Sequence, residues 1–188
     1  MEALTRCLVK KPFNQTSIKD IAAAAKINHG MLHYYYKSKE DVLLNYIEFI
    51  IEHYKTVFEK WMVSKAPDFQ TPEDMLRACI DFVYHRITSN RDLSKIFIEF
   101  QELAIYNPKI KRKLRQAYCE WIETVQTILV KTCKEEASVP HISAGLVAFS
   151  EGISLLSLIL NKNDIEIEGV FKTFKEQFLQ YFVNSVKQ

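Results

Sequence analysis

Apolar residues recur every three or four positions along most of the chain, the period of a helix with one buried stripe. The stretch 39–65 shows it best. Leu43, Tyr46, Ile47, Ile50, Tyr54, Val57, Phe58 and Trp61 all fall on one side. The breaks between such stretches carry helix-start signals. Ser17 before Asp20 and Ser38 before Asp41 fit a capping pattern. Thr71-Pro72 and Asn107-Pro108 each set a capping residue before a proline at the first helical position. Pro140 repeats the proline signal, and Asn90 with Asp92 marks one more start. Together these predict about nine helices, at 2–11, 17–24, 28–35, 39–65, 72–89, 91–106, 108–136, 140–161 and 166–186. The fold class is therefore all-α: a three-helix module over residues 1–45 and a larger helical domain over 46–188. A helix over 39–65 spans about 40 Å, enough to belong to both.

Composition narrows the chemistry. With 188 residues the chain buries a core without disulfides or metals. Its only glycines are Gly30, Gly145, Gly152 and Gly169, so neither G-x-G-x-x-G nor G-x-x-x-x-G-K-[ST] exists. Cys7, Cys79, Cys119 and Cys133 form no C-x-x-C pair, which excludes zinc-ribbon and thioredoxin-like sites and predicts reduced thiols in the cytoplasm. The first residues lack the apolar core of a secretory signal. Ala144–Leu160 is apolar, but it is short for a lipid-spanning helix and broken by Glu151. Burial in a core or dimer interface, with no membrane, is the expectation. No H-E-x-x-H, G-x-S-x-G or Glu-x-x-His pattern is present, so the chain is expected to be no enzyme and to hold no cofactor. His29 and His33 stand at i and i+4 on one helix face, but no further ligand lies nearby in sequence, so no metal site is expected. His53, His85 and His141 are isolated.

Charge is uneven: the first 45 residues carry a net +3 and the remainder −1. Any polyanion partner is therefore expected at the N-terminus. There, residues 16–44 read TSIKDIAAAAKINHGMLHYYYKSKEDVLL. Ile18, Ile21, Ala22 and Ala25 give one short helix an inner face, and Ile27 and Leu32 close it from a second. This is a helix-turn-helix, with alanines letting the backbones approach. The second helix then presents His29, Gly30, Met31, His33, Tyr34 and Tyr35 outward. Residues of that kind suit a major groove, with His29 and Met31 toward bases and the tyrosines and Lys39 toward phosphates.

These residues resemble the DNA-binding domain of the TetR family of one-component repressors, whose pattern runs TS-x-x-DIA-x-x-AGVSKGTLYYHFKSKE-x-L. Thr16, Ser17, Asp20, Ile21, Ala22, Gly30, Leu32, Tyr34, Lys37, Ser38, Lys39, Glu40 and Leu43 match it. The resemblance implies a cytoplasmic homodimer that binds a palindromic double-stranded DNA operator as a repressor and is released by a small-molecule effector. It implies DNA contacts from Ser17, Lys19, His29, Gly30, Met31, His33, Tyr34, Tyr35 and Lys39. Three residues depart from the pattern: Lys26 stands where the family has Gly, Met31 for Thr, and His33 for Tyr. If position 26 keeps a positive φ, lysine costs roughly 1 kcal/mol there. The first helix also starts later than is usual in the family, which suggests a minimal or shortened domain.

The stretch IFIEFQELAIYNP at 96–108 and the Glu151-Gly152 pair are similar to the branch that includes the glycine-betaine-synthesis repressor. Gly145, Ala148 and Gly152 give the eighth helix a small-residue side for close contact with the last helix. That last helix carries Phe171, Phe174, Phe178, Leu179, Phe182 and Val186 at helical spacing, and two such pairs make a two-fold interface. Phe82, His85, Phe97, Phe100, Gln101, Tyr118, Trp121 and Glu151 are the candidate lining of an effector pocket. The alternative is a helical ligand-binding or scaffold protein whose helix-turn-helix has lost DNA binding.

Overall fold

A computed structural model describes residues 1–130 and 138–187, with side chains described through Tyr181. Cys133, Phe182 and Val186 lie outside the described side chains. Among the described residues the chain is all helix, without strands. The helices are α1 (Glu2–Leu8), α2 (Ile18–Ala25), α3 (His29–Tyr35), α4 (Lys39–Lys65), α5 (Pro72–Val83), α6 (Arg91–Tyr106), α7 (Pro108–Val130), α8 (Val139–Ile159) and α9 (Ile167–Lys187). They group into two compact units, one of residues 1–57 with 95–117 and one of 58–94 with the chain from 118 on.

The helix starts follow the capping chemistry. Thr71 closes a capping box with Asp74 and has Pro72 at the first helical position. Two helices end earlier than their periodicity predicts. α1 stops at Leu8, where Lys10 and Lys11 N–H groups fold back to the Cys7 carbonyl (3.0 and 3.1 Å) ahead of Pro12. α5 gives way to a wider π-helical turn at Tyr84–Thr88. That turn carries the Tyr84 ring onto the Phe171 ring, 3.7 Å between centroids and 8° from parallel.

In the first unit, Tyr46 and Phe100 are fully buried and meet edge to face with centroids 5.9 Å apart. The Tyr46 hydroxyl bonds Thr5 Oγ1 at 2.8 Å, tying α4 to α1. Ile21, Ala22 and Leu32 are buried as the pattern predicts, but Ile27 is exposed. The reason lies one residue earlier. Lys26 adopts φ 57°, ψ 38°, the left-handed conformation. Its N–H bonds the Ala23 carbonyl (3.1 Å) and the Ile27 N–H bonds the Ala22 carbonyl (3.1 Å), the Schellman arrangement that ends α2. Ile27 is thus spent on the turn rather than on the core. Because a side chain at positive φ is strained, Lys26→Gly should raise stability by about 0.5–1 kcal/mol, read as a later urea midpoint at unchanged slope.

In the second unit, α5 is stitched to α9 by Arg77–Glu176 (2.6 Å) and Lys175–Asp81 (2.7 Å). Leu76, Leu129, Val139 and Leu179 are buried together as one core cluster. Phe149 stacks on Phe174 at 3.6 Å between α8 and α9. The side of α8 turned away from its buried residues Val139, Ser143, Val147 and Ile153 is bare. Gly145, Ala148, Gly152, Leu155 and Leu156 are exposed, and only 17% of the helix's most apolar window is buried. A Cβ added at Gly145 or Gly152 meets nothing within 4 Å, so the close contact expected of these small residues is not made among the described residues.

Candidate nucleic-acid interface

The helix-turn-helix is built from its caps upward. Ser17 and Asp20 close a reciprocal capping box: the Ser17 N–H and hydroxyl donate to Asp20 Oδ2 (2.7 Å each), and the Asp20 N–H donates to Ser17 Oγ (3.1 Å). Lys11 Nζ adds a 2.8 Å ion pair to the same oxygen. The Lys11 ammonium, then the Ser17 donors, hold the Asp20 carboxyl well below the usual carboxylate range. A folded-state value below the unfolded one stabilises above about pH 4 and is lost as pH falls through the folded value. Asp20→Asn should therefore unfold more readily than the parent at neutral pH, and the gap should close on acidification. Thermal melts between pH 7 and 2 measure it.

α3 is capped by Asn28, whose Oδ1 accepts the Gly30 N–H at 2.8 Å. Leu32 points into the unit and is 5% exposed, while Met31 is 47%, Tyr35 66% and Tyr34 84% exposed. His29, Gly30 and His33 are exposed as well. The Tyr34 ring touches the Tyr35 ring edge-on, 5.1 Å between centroids. His29 and His33 approach each other through Nε2 at 3.3 Å. One buried leucine thus anchors a rod whose other side chains face outward. Ser17 and Lys19 are exposed at the start of α2, and Lys37 just beyond α3.

Lys39 is placed differently from the other sequence-predicted contacts. Its ammonium donates to the Phe13 carbonyl and to the Asn14 carbonyl (3.3 Å), and it sits 4.3 Å over the Phe13 ring. Burial lowers its pKa, against the pull of nearby Glu99. Glu99 on α6 accepts the Phe13 N–H, and burial raises its carboxyl. Together they grip the 3-10 turn Phe13–Gln15 that leads into the α2 cap. Glu40, at the start of α4, accepts from Asn107 Nδ2 (2.7 Å) and Lys109 Nζ (3.0 Å), which hold its carboxyl low. Sequence reasoning missed Glu99. The available signal was a carboxylate inside the apolar run Ile96–Phe100.

The eight candidate effector residues are divided between the two units. Phe97, Phe100 and Gln101 belong to the first unit, the other five to the second. Phe100 is fully buried in its own unit's core. Phe82 is buried against Trp61 (4.5 Å between centroids) and Phe58 (5.3 Å). Tyr118 and Trp121 stack at 6.3 Å and are half-buried, as are Gln101 and Glu151, while His85 is exposed beside Tyr84. A surface groove of about 260 Å³ is lined instead by Ile142, Gly145, Leu146, Phe174, Phe178 and Tyr181.

Residues 1–46 match the model of bacterial regulatory proteins of the tetR family, and residues 72–169 match that of the C-terminal region of BetI-type transcriptional repressors. The uncharacterized HTH-type transcriptional regulator YuxN of Bacillus subtilis is 25% identical over 162 residues, covering 84% of this chain and 52% of that protein. The chain thus spans about half the length of the curated relative it matches. Among solved structures, a TetR transcription regulator from Haloarcula marismortui superposes with a TM-score of 0.78 at 18% identity, covering 98% of this chain and 94% of that one. A putative transcriptional regulator from Saccharomonospora viridis, solved in complex with choline, gives 0.74 at 18% identity, with 97% and 92% covered. With a helix-turn-helix at residues 1–46 and a BetI-type region over half its length, the chain belongs to the tetR family of transcriptional regulators.

Proposed function

We propose that the chain is a homodimeric repressor in the cytoplasm that reads a palindromic operator with α3 and leaves it when a small-molecule effector binds. The observation that carries this is the exposed face of α3, with five of its six side chains outward around one buried leucine. Two such helices about 34 Å apart meet successive major grooves. Ser17, Lys19, His29, Gly30, Met31, His33, Tyr34 and Tyr35 form the DNA surface, and Lys39 holds the turn before α2 rather than reaching a phosphate. The test is selection of bound genomic fragments followed by a salt series. Log affinity should fall linearly with log salt as phosphate contacts release counterions. No retained fragment at low salt would favour the reading of a helical ligand-binding or scaffold protein.

The bare face of α8 supports the dimer. A second copy covers Ala148, Gly152, Leu155 and Leu156 by two-fold symmetry. Gly152→Glu leaves the single chain undisturbed, because its side chain starts in open space. It should turn the dimer into a monomer in sedimentation velocity at unchanged helical circular dichroism.

For the effector, the choline held by the Saccharomonospora viridis regulator supports a small organic molecule as the class. We place it in the C-terminal region, with His85, Tyr118, Trp121 and Glu151 as the contacts of the second unit. Phe82, packed on Trp61 and Phe58, backs that site as an aromatic wall of the same unit. Release requires the effector to prefer the conformer that does not bind DNA, since equal affinity shifts nothing.

A further inference from the structure

His29 and His33 are held in a geometry that base reading alone does not require. They stand one turn apart on α3, both exposed, with ring planes at 80° and centroids 4.7 Å apart. Their Nε2 atoms are 3.3 Å apart, closer than the ring centres, so the two rings converge through these nitrogens. Two imidazole nitrogens on one tetrahedral ion, each at about 2.05 Å, stand about 3.3 Å apart. The observed separation is that of a chelate bite.

We propose that His29 and His33 form a bidentate site for a divalent transition ion of the imidazole-preferring class, Zn²⁺ or Ni²⁺, and that the bound ion excludes operator DNA from α3. Among the described residues no group of three or more His, Cys, Asp or Glu gathers. Water therefore completes the coordination and the ion exchanges freely. In the free protein one ring's Nε2 proton bridges the pair. Binding moves that proton to the Nδ1 of its own ring, so both Nε2 lone pairs reach the ion and no proton leaves the protein. Both rings stand on the exposed face of α3, so a metal with its waters takes the space the DNA would fill. The exclusion step rests on α3 being the recognition helix. The chelate does not.

The experiment uses the full untagged chain, stripped with EDTA and titrated calorimetrically with NiCl₂. His29→Gln and His33→Gln should each weaken Ni²⁺ binding tenfold or more, while His141→Gln on α8 should leave it unchanged. Equal binding by the parent and the two α3 variants, or no binding by the parent, overturns the site. Ni²⁺ should then release the parent from a retained genomic fragment, and release by EDTA-chelated Ni²⁺ should not occur. Ni²⁺ binding through the pair with unchanged DNA affinity overturns the exclusion. A chain that chelates Ni²⁺ and retains no DNA overturns the regulator reading and leaves the site standing.

Discussion

Tyr46→Ala should cost the first unit about 3–5 kcal/mol, the largest stability loss expected of any single truncation there. The side chain is fully buried, so its removal leaves a cavity between α4, α1 and α6 rather than a surface notch. It also leaves Thr5 Oγ1 without its 2.8 Å partner and the Phe100 ring without its T-shaped neighbour. Burial pushes the Tyr46 phenol up to about 12, so the group is neutral and the loss is one of packing and hydrogen bonding, flat across neutral pH. Tyr46→Phe separates the parts: it keeps the ring and should cost only about 1 kcal/mol. Both tryptophans, Trp61 and Trp121, lie in the second unit. Far-UV circular dichroism in urea is therefore the probe, with tryptophan fluorescence reporting the other unit. A Tyr46→Ala chain with the parent's dichroism midpoint would mean that this contact does not hold the unit together.

The helices were legible because their signals are local. Thr71-Pro72 and Ser17 with Asp20 name their partners within three residues, and the structure closes both boxes. The outward face of α3 was legible for the same reason, since Leu32 is its one large aliphatic position. What escaped depends on residues distant in sequence. The end of α5 is set by Tyr84 meeting Phe171, 87 positions away, and no period within 72–89 records it. Lys39 reads as a phosphate contact from its motif. Its actual partners, the carbonyls of Phe13 and Asn14, are backbone atoms that carry no residue signature. The candidate effector residues could not be sorted from the sequence, because aromatic faces on a helix suit a core and a pocket equally. Phe82 and Phe100 went to the core.

Tyr34→Ala should leave stability within about 0.5 kcal/mol of the parent and lower DNA affinity a hundredfold or more. The first half follows from exposure: Tyr34 is 84% exposed and touches the Tyr35 ring, so little packing is lost. The second follows from charge. A hydrogen bond from a neutral donor to a charged group is worth about 1.5–3 kcal/mol, and a two-fold dimer loses it twice. Tyr34→Phe keeps the ring and removes the hydroxyl, so it should show most of the same loss. A phosphate contact carries no base information, so the loss should be uniform across retained sequences. The tyrosine is uncharged and should leave the salt slope unchanged. Lys19→Ala removes a cation from each protomer and should flatten that slope by about 2. A Tyr34→Ala loss confined to one sequence would move the hydroxyl from a phosphate to a base edge, and an unchanged affinity on every fragment would take α3 out of the groove.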